Sequence, residues 1–331
     1  MTASESTPRV RLWGGVACAL GAGLAWGFVF VAPLVLADYP PAMLAFGRYL
    51  AFGVIALPLA WRDRQRLAAL ERTDWLAALE LAAIGNIIYY LFLAAAIQWA
   101  GAPLPTMIIG TLPVVIAIVA NLHERGLPWA RLLPSLAVIG AGIALVNHHE
   151  WQRLDHARAG ADYLLGGLMA IGALVAWTWY PVRNARWLRR RPQLASSTWA
   201  TAQGMATLPL AALGMAGMMV WNAAAGAAAP LLGPRPVVFV AWMLMIGLTA
   251  SWLGTLLWNR ASQLLPTALA GQLIVFETLA ALAYAFIWQG AWPAATVAAG
   301  IALLVAGVVL GVRAFARPPT CEQVIEPSSG D

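Results

Sequence analysis

The chain has 331 residues, of which 61% are hydrophobic and only 10% charged, with a formal net charge of +6 and a mean hydropathy of +0.74. A soluble domain carries about 25% charged residues to clothe its surface. A water-soluble enzyme, a nucleic-acid-binding domain and a disordered chain are therefore all disfavoured, and ten spans of about 20 residues would take up roughly two thirds of the length.

Ten apolar runs follow one another, separated by charged or Pro/Gly-rich punctuation: 12–37, 41–60, 74–99, 102–121, 129–147, 162–182, 194–221, 237–259, 266–288 and 291–313. Backbone N–H and C=O groups must be paired within lipid, and these runs lack the alternation of a β-barrel strand, so each is expected to be a helix. The fold class is an all-α polytopic membrane protein. The first run exceeds the roughly 7–15-residue core of a signal peptide and reads as a retained helix. Cys18 lies in that run and Cys321 in the polar tail, so neither a disulfide framework nor a cysteine metal site is expected.

Every basic residue is an arginine. With the N-terminus inside, sixteen arginines fall on the cytoplasmic side, only Arg153, Arg158 and Arg235 fall outside, and Arg48 lies within a span. That positive-inside bias places both termini in the cytoplasm of a bacterial-type inner membrane. The basic charge reads as topology signal and contact with the lipid bilayer, not as a nucleic-acid footprint.

Sliding the sequence by 165 positions lays Gln98 on Gln263, Pro128 on Pro293, Gly142 on Gly307 and Leu145 on Leu310; at another offset Ala25-Trp26 matches Ala176-Trp177. Each half carries five spans. Because five is odd, the second half enters the membrane the other way up, giving inverted-topology repeats. The organisation read from this is a cytoplasmic tail (1–11), a first repeat (12–147), an external linker (148–161), a second repeat (162–313) and a cytoplasmic tail (314–331).

Several segments resemble the ten-helix, EamA-type branch of the drug/metabolite transporter superfamily. They are Gly23-Leu24-Ala25-Trp26-Gly27, the stretch from Met43 to Tyr49 around Arg48, and the end of each half. The first half runs from Thr111-Leu112-Pro113 to Asn121-Leu122-His123-Glu124-Arg125-Gly126 and Gly140-Ala141-Gly142. The second runs from Phe276-Glu277-Thr278 to Trp288-Gln289-Gly290 and Gly300 to Gly307. The family's Glu-Pro pair is split here, Pro113 surviving in one half and Glu277 in the other. Within the superfamily the resemblance points to exporters of aromatic and neutral amino acids, the YddG type. A phosphorylated substrate would need several cations at depth, and only Arg48 and Arg260 are offered.

Candidate substrate-binding residues are Trp26, Asn86, Tyr89, Tyr90, Trp177, Trp252, Gln272 and Glu277. Glu277 lies about 17 Å into the ninth run at 1.5 Å per residue. A carboxylate at that depth is expected to face a cavity or a partner, as a contact for a substrate ammonium, a proton carrier or a buried structural carboxyl. Arg48 fits either a substrate carboxylate or an interhelical ion pair. Asn86 and Tyr90 share a helical face and suit a ligand's polar end or helix-to-helix hydrogen bonds. Tryptophans inside spans, unlike those at the interface, are placed to stack on an aromatic or cationic ligand or to pack. Pro33, Pro105, Pro113 and Pro209 are candidate hinges. The Gly23/Gly27 and Gly307/Gly311 pairs suit close helix contact, within the bundle or across a dimer.

The loop cluster His148, His149, Glu150, Asp155 and His156 matches no standard metal spacing, and no catalytic or phosphate-cradling motif is present. The expectation is a non-enzymatic transporter without metal or cofactor, a monomer or weak dimer, moving a small molecule by alternating access. Its cargo is an aromatic or large neutral amino acid or, alternatively, a hydrophobic cation in exchange for protons. A non-transporting receptor or scaffold is the reading from a different class.

Overall fold

The computed structural model describes residues 8–36, 38–100, 103–124, 127–152, 161–226, 232–290 and 292–316. Among the described residues, nine helices are long and apolar enough to cross a membrane, and a shorter apolar helix, Leu112–Glu124, completes a tenth, broken span. The spans are α1 (Pro8–Val35), α2 (Pro41–Arg62), α3 (Arg72–Leu81, Ala82–Ile88 and Tyr89–Ala100), α4 (Pro103–Gly110 with Leu112–Glu124) and α5 (Trp129–Gln152). The second half follows with α6 (Ala161–Arg190), α7 (Ser196–Ala224), α8 (Pro236–Ile246, Gly247–Leu253 and Gly254–Leu264), α9 (Thr267–Leu273 with Val275–Gln289) and α10 (Ala295–Ala316).

Local sequence explains where these helices start and stop. Pro41 and Pro236 open α2 and α8 from a first-turn position where the missing N–H costs nothing. Glu71 and Asp74 form a capping box at the start of α3. Gly290 closes α9 in the left-handed region, at φ +62°.

Two spans are discontinuous near the middle. In α4 the break falls at Thr111, two residues before Pro113, and the Thr111 hydroxyl donates to the Ile108 carbonyl at 2.6 Å. Pro113 thus sits at a real interruption. Pro105 belongs to the first turns of α4, whereas Pro209 lies inside the unbroken α7. Pro33 falls within α1, but its side chain is outside the described residues. Pro58, Pro134 and Pro181 are also carried inside helices, so proline alone does not mark a hinge here.

The repeat extends further than the sequence matches. A shift of 165 positions carries the π-helical segment Ala82–Ile88 of α3 onto the π-helical segment Gly247–Leu253 of α8. The helix packing obeys the same exchange: α1 lies on α8 and α9 as α6 lies on α3 and α4, while α2–α7, α4–α9 and α5–α10 map onto themselves. The α5–α10 seam shows this at atomic detail. A β-carbon on Gly142 would lie 2.9 Å from the Gly300 carbonyl oxygen and from Leu304, and one on its counterpart Gly307 would meet Ile139 at 2.6 Å and the Ser135 carbonyl oxygen at 3.2 Å. The small-residue pairs serve the bundle itself: Gly27 packs on Ala280 and Tyr284 of α9, and Gly311 on Gln272.

Charged residues gather at the two ends. At the arginine-rich end, cytoplasmic by the charge bias, Arg183 pairs with Glu80 (2.7 Å), Arg189 with Glu124 (2.6 Å), and Arg191 with Glu71 (2.6 Å) and Asp74 (3.3 Å). At the other end Arg235 grips Asp38 through two nitrogens and also donates to the Val35 carbonyl at 2.8 Å. The Tyr39 hydroxyl donates to Leu232 O at 3.0 Å and accepts from the Arg235 N–H at 2.8 Å, tying the α1–α2 and α7–α8 connections together.

Two predictions follow from the packing and the ends. Gly142→Val and Gly307→Val each force the α5–α10 seam apart and cost about 1–3 kcal/mol, measured as a lower melting temperature of the detergent-solubilised protein. Hydrogen bonds from Arg235 and from Arg191 hold the Asp38 and Glu71 carboxyls below their ordinary values of 3.8 and 4.5. A depressed acid stabilises the fold above its unfolded-state pKa and loses that contribution as pH falls. Melting temperature is therefore level above about pH 5 and declines below pH 4.5, less steeply in an Asp38→Asn/Glu71→Gln variant.

Candidate functional site

The interior of the bundle is organised around two tryptophans that the half-to-half match relates to each other. Trp26 of α1 and Trp177 of α6 meet edge-to-face with centroids 6.1 Å apart. Residues that are symmetry mates and also touch must lie at the pseudo-two-fold axis. Around them, Tyr89 stacks on Trp177 at 4.9 Å, Tyr180 stacks on the same ring at 5.1 Å, and Trp258 tilts against Trp26 at 5.3 Å. The symmetry also explains a gap: the counterpart of Tyr89 is Gly254, and a β-carbon there would lie 2.7 Å from Trp26 Nε1.

The two π segments supply polar groups beside this cluster. A π turn widens the helix by one residue and is found mostly at functional sites. Asn86 in α3 and Ser251 in α8 are equivalent positions of the two segments. Asn86 Nδ2 donates to Thr207 Oγ1 of α7 at 3.1 Å, and Ser251 Oγ accepts from Arg48 Nε of α2 at 2.9 Å. Arg48 sits about 10 Å along α2 from its outer end and lies over the Tyr49 ring at 5.2 Å. Trp252 Nε1 donates to Thr201 Oγ1 at 3.1 Å, and Trp252 and Tyr90 both pack on the cluster of Tyr49, Phe52 and Ala211.

Glu277 occupies the first turn of the second half of α9. The N-terminal end of that half-helix favours a negative charge, and interrupted helices use such ends at midplane sites. Gly23 makes the location tight, since a β-carbon there would be 3.0 Å from the Glu277 nitrogen. Glu277 is within electrostatic reach of Arg48, Tyr49 and Tyr89, yet no ion pair joins it to Arg48. Arg48, Asn86, Tyr89, Tyr90, Trp177, Trp252 and Glu277 are all half-buried, while Trp26 is buried.

The structure therefore brings together seven of the eight substrate-binding candidates, and Arg48 with them. Gln272 stands apart: it is fully buried, accepts from Ser135 at 3.4 Å, and packs against Gly311 where α5, α9 and α10 meet. Its position is that of a strut between helices. Sequence reasoning did not single out Tyr180, Trp258, Thr207 or Ser251. Ser251 was accessible as the 165-position partner of Asn86, and Tyr180 as the next turn of the Trp177 face. Among the described residues no group of three His, Cys, Asp or Glu could hold a metal; Asp155 and His156 of the loop cluster fall outside those described, as do the side chains of His149 and Glu150 at the end of α5.

A ten-span bundle of inverted halves with a polar and aromatic centre defines a secondary-type membrane transporter. Residues 13–147 match the EamA-like transporter family. Inner membrane protein YtfF of Escherichia coli (strain K12) is 49% identical over 321 residues, covering 94% of this chain and 99% of that protein. A crystal structure at 18% identity superposes with a TM-score of 0.65 over 92% of this chain and 99% of the other, showing the same fold. The chain belongs to the EamA-like transporter family, as a multi-pass inner-membrane protein. The curated relative is YtfF, so the resemblance holds at the level of the family and does not extend to the YddG type in particular.

Replacing Trp177 by Ala removes the ring that Trp26, Tyr89 and Tyr180 share. The expected loss is about 3–5 kcal/mol, seen as a lowered melting temperature, whereas Gln272→Glu should disturb stability without altering binding at the centre.

Proposed function

We propose that this transporter exports zwitterionic amino acids, aromatic or large neutral, by alternating access. The observation that carries the reading is a cation and an anion at the centre that are within electrostatic reach of each other without forming an ion pair. Arg48 spends its Nε–H on Ser251, which leaves the terminal N–H groups of its guanidinium, held by a fixed anchor, suited to a carboxylate. Glu277 supplies the opposite charge for an ammonium group. Trp177, Tyr89 and Tyr90 offer a stacking wall for the side chain, and Asn86 a further polar contact.

A hydrophobic cation moving against protons would use Glu277 and the same aromatic wall, but Arg48 in reach of Glu277 opposes a second positive charge. A phosphorylated solute lacks a second cation at this depth.

Uptake into proteoliposomes of labelled tryptophan, phenylalanine, threonine and a lipophilic cation, with and without a pH gradient, tests the reading. Saturable, counter-substrate-stimulated amino-acid flux is expected, with kcat/KM reduced at least about 100-fold by Arg48→Ala and by Glu277→Gln, since each truncation strands the other partner's charge. Gradient-dependent cation flux without amino-acid flux would replace this function with proton-coupled efflux.

A further inference from the structure

Inverted halves of one conformation would pack alike, and at one place these do not. The cytoplasmic segment of α8, Gly254–Leu264, packs on α6. Among the described residues its counterpart, the outer segment Tyr89–Ala100 of α3, makes no comparable contact with α1, the counterpart of α6. The start of α9, Thr267–Leu273, also touches α6, whereas Pro103–Gly110 of α4 has no such contact with α1. The bundle is therefore shut at the cytoplasmic end and parted at the external end. If the halves exchange conformations, it opens to the other side. That exchange takes α6 off α8 and brings α1 onto α3.

The seam that the exchange opens is polar along its length. It starts at a cavity of about 550 Å³ at the arginine-rich end, lined by Ser196, Ser197, Arg260 and Gln263 among others. Here Ser196 Oγ donates to Gln263 Oε1 at 2.8 Å. One turn further in, Asn184 Nδ2 of α6 donates to Asn259 Oδ1 of α8 at 2.9 Å, and Trp199 Nε1 of α7 donates to Asn184 Oδ1 at 2.9 Å. All three side chains are fully buried. The next turn holds Thr255 and the Tyr180 hydroxyl, which donates to Gln203 Oε1 at 2.9 Å. Beyond it lie Trp177, Thr207 and Ser251 at the centre. On α8 the rungs fall at Ser251, Thr255, Asn259 and Gln263, four residues apart and so on one face.

Hydrogen bonds between membrane helices can be mere glue, but two observations set this ladder apart. It is one-ended: by the Trp26–Trp177 match and the 165-position shift, the external counterparts of Tyr180, Asn184 and Asn259 are Val29, Pro33 and Ala94. It is also incomplete, since Gln203 Nε2 is buried without a partner among the described residues. Polar groups at depth mark the paths of solutes, and this amide gains a partner when water or a polar solute enters.

We propose that the seam between α6, α7 and α8 is the cytoplasmic half of the transport path, entered at the Arg260–Gln263 cavity, and that the Asn184–Asn259 hydrogen bond is the latch that closes it. Inward opening breaks this bond as α6 leaves α8. The external end, with proline and alanine at the equivalent positions, has no such bond to make. The proposal rests on alternating access as put forward above, and not on the identity of the cargo.

The test uses the full chain with Cys18→Ser and Cys321→Ser, one reporter cysteine at a time, and a membrane-impermeant maleimide. Thr255→Cys, at a position 8% exposed and one turn inward of the latch, is approached from the cytoplasmic face in inside-out vesicles. Val29→Cys, half-buried on α1, is approached from the external face in right-side-out vesicles. Asn184→Ala or Asn259→Ala should speed labelling at position 255 roughly tenfold and slow it at position 29 about twofold, as for an inward-open population rising from about 5% to about 50%. No solute is needed, so the result does not depend on what is carried. Unaltered labelling at 255 in either variant, recovered monodisperse, overturns the latch. A rise at 255 without a fall at 29 reveals loosened packing in place of an exchange of states, and overturns it too.

Discussion

The contact between Trp26 and Trp177 is the fixed point from which the rest of this bundle is arranged. Two indoles related by the internal symmetry can touch only at the axis, so the helices that carry them, α1 and α6, must face each other across it. Everything packed on those helices is then placed in pairs, α8 and α9 on one side and α3 and α4 on the other. The identical ring on each side keeps the crossing balanced. What differs around it gives the centre its character, because Tyr89 fills one flank while Gly254 leaves the other to the backbone.

The two halves depart from symmetry at the centre. The scaffold positions are matched: Gly142 with Gly307, the π segment of α3 with that of α8, and the Asp38–Arg235 pair at one end with the Arg191–Glu71 pair at the other. The charged centre is not. Glu277 has Leu112 as its counterpart, so the second half contributes the carboxylate without an echo in the first. A perfectly symmetric site would present the same groups from both halves and would suit a symmetric ligand. Opposite charges contributed by different halves, Arg48 by the first and Glu277 by the second, fit the proposed cargo with two different ends.

Much of this was legible in the sequence because lipid narrows the choices. With no water to satisfy the backbone, length and hydropathy alone fix ten helices, and the arginine bias fixes which loops share a side. The central residues were legible as a set for a related reason: Arg48, Asn86 and Glu277 stand out because polar groups at depth are few. One candidate, Gln272, lies apart from the others. Gln272 has the same depth as its neighbours, but depth does not reveal azimuth, and its side chain turns toward Ser135 and α10. The π segments were hidden as well, since nothing in Ala82–Ile88 or Gly247–Leu253 departs from ordinary apolar helix composition. Their geometry depends on what packs outside them, as where Tyr180 presses on Gly85.

Those π segments have a mechanical consequence. A helix that holds one residue more per turn carries slack, and slack can travel. If the wide turn moves along α3 by one residue, the side chains it passes rotate by about 100° around the helix axis, while the number of backbone hydrogen bonds in the membrane stays constant. Asn86 and Ser251 ride on these turns. A small slippage of either segment would swing its polar group away from its partner, Asn86 from Thr207 or Ser251 from Arg48, without bending any helix.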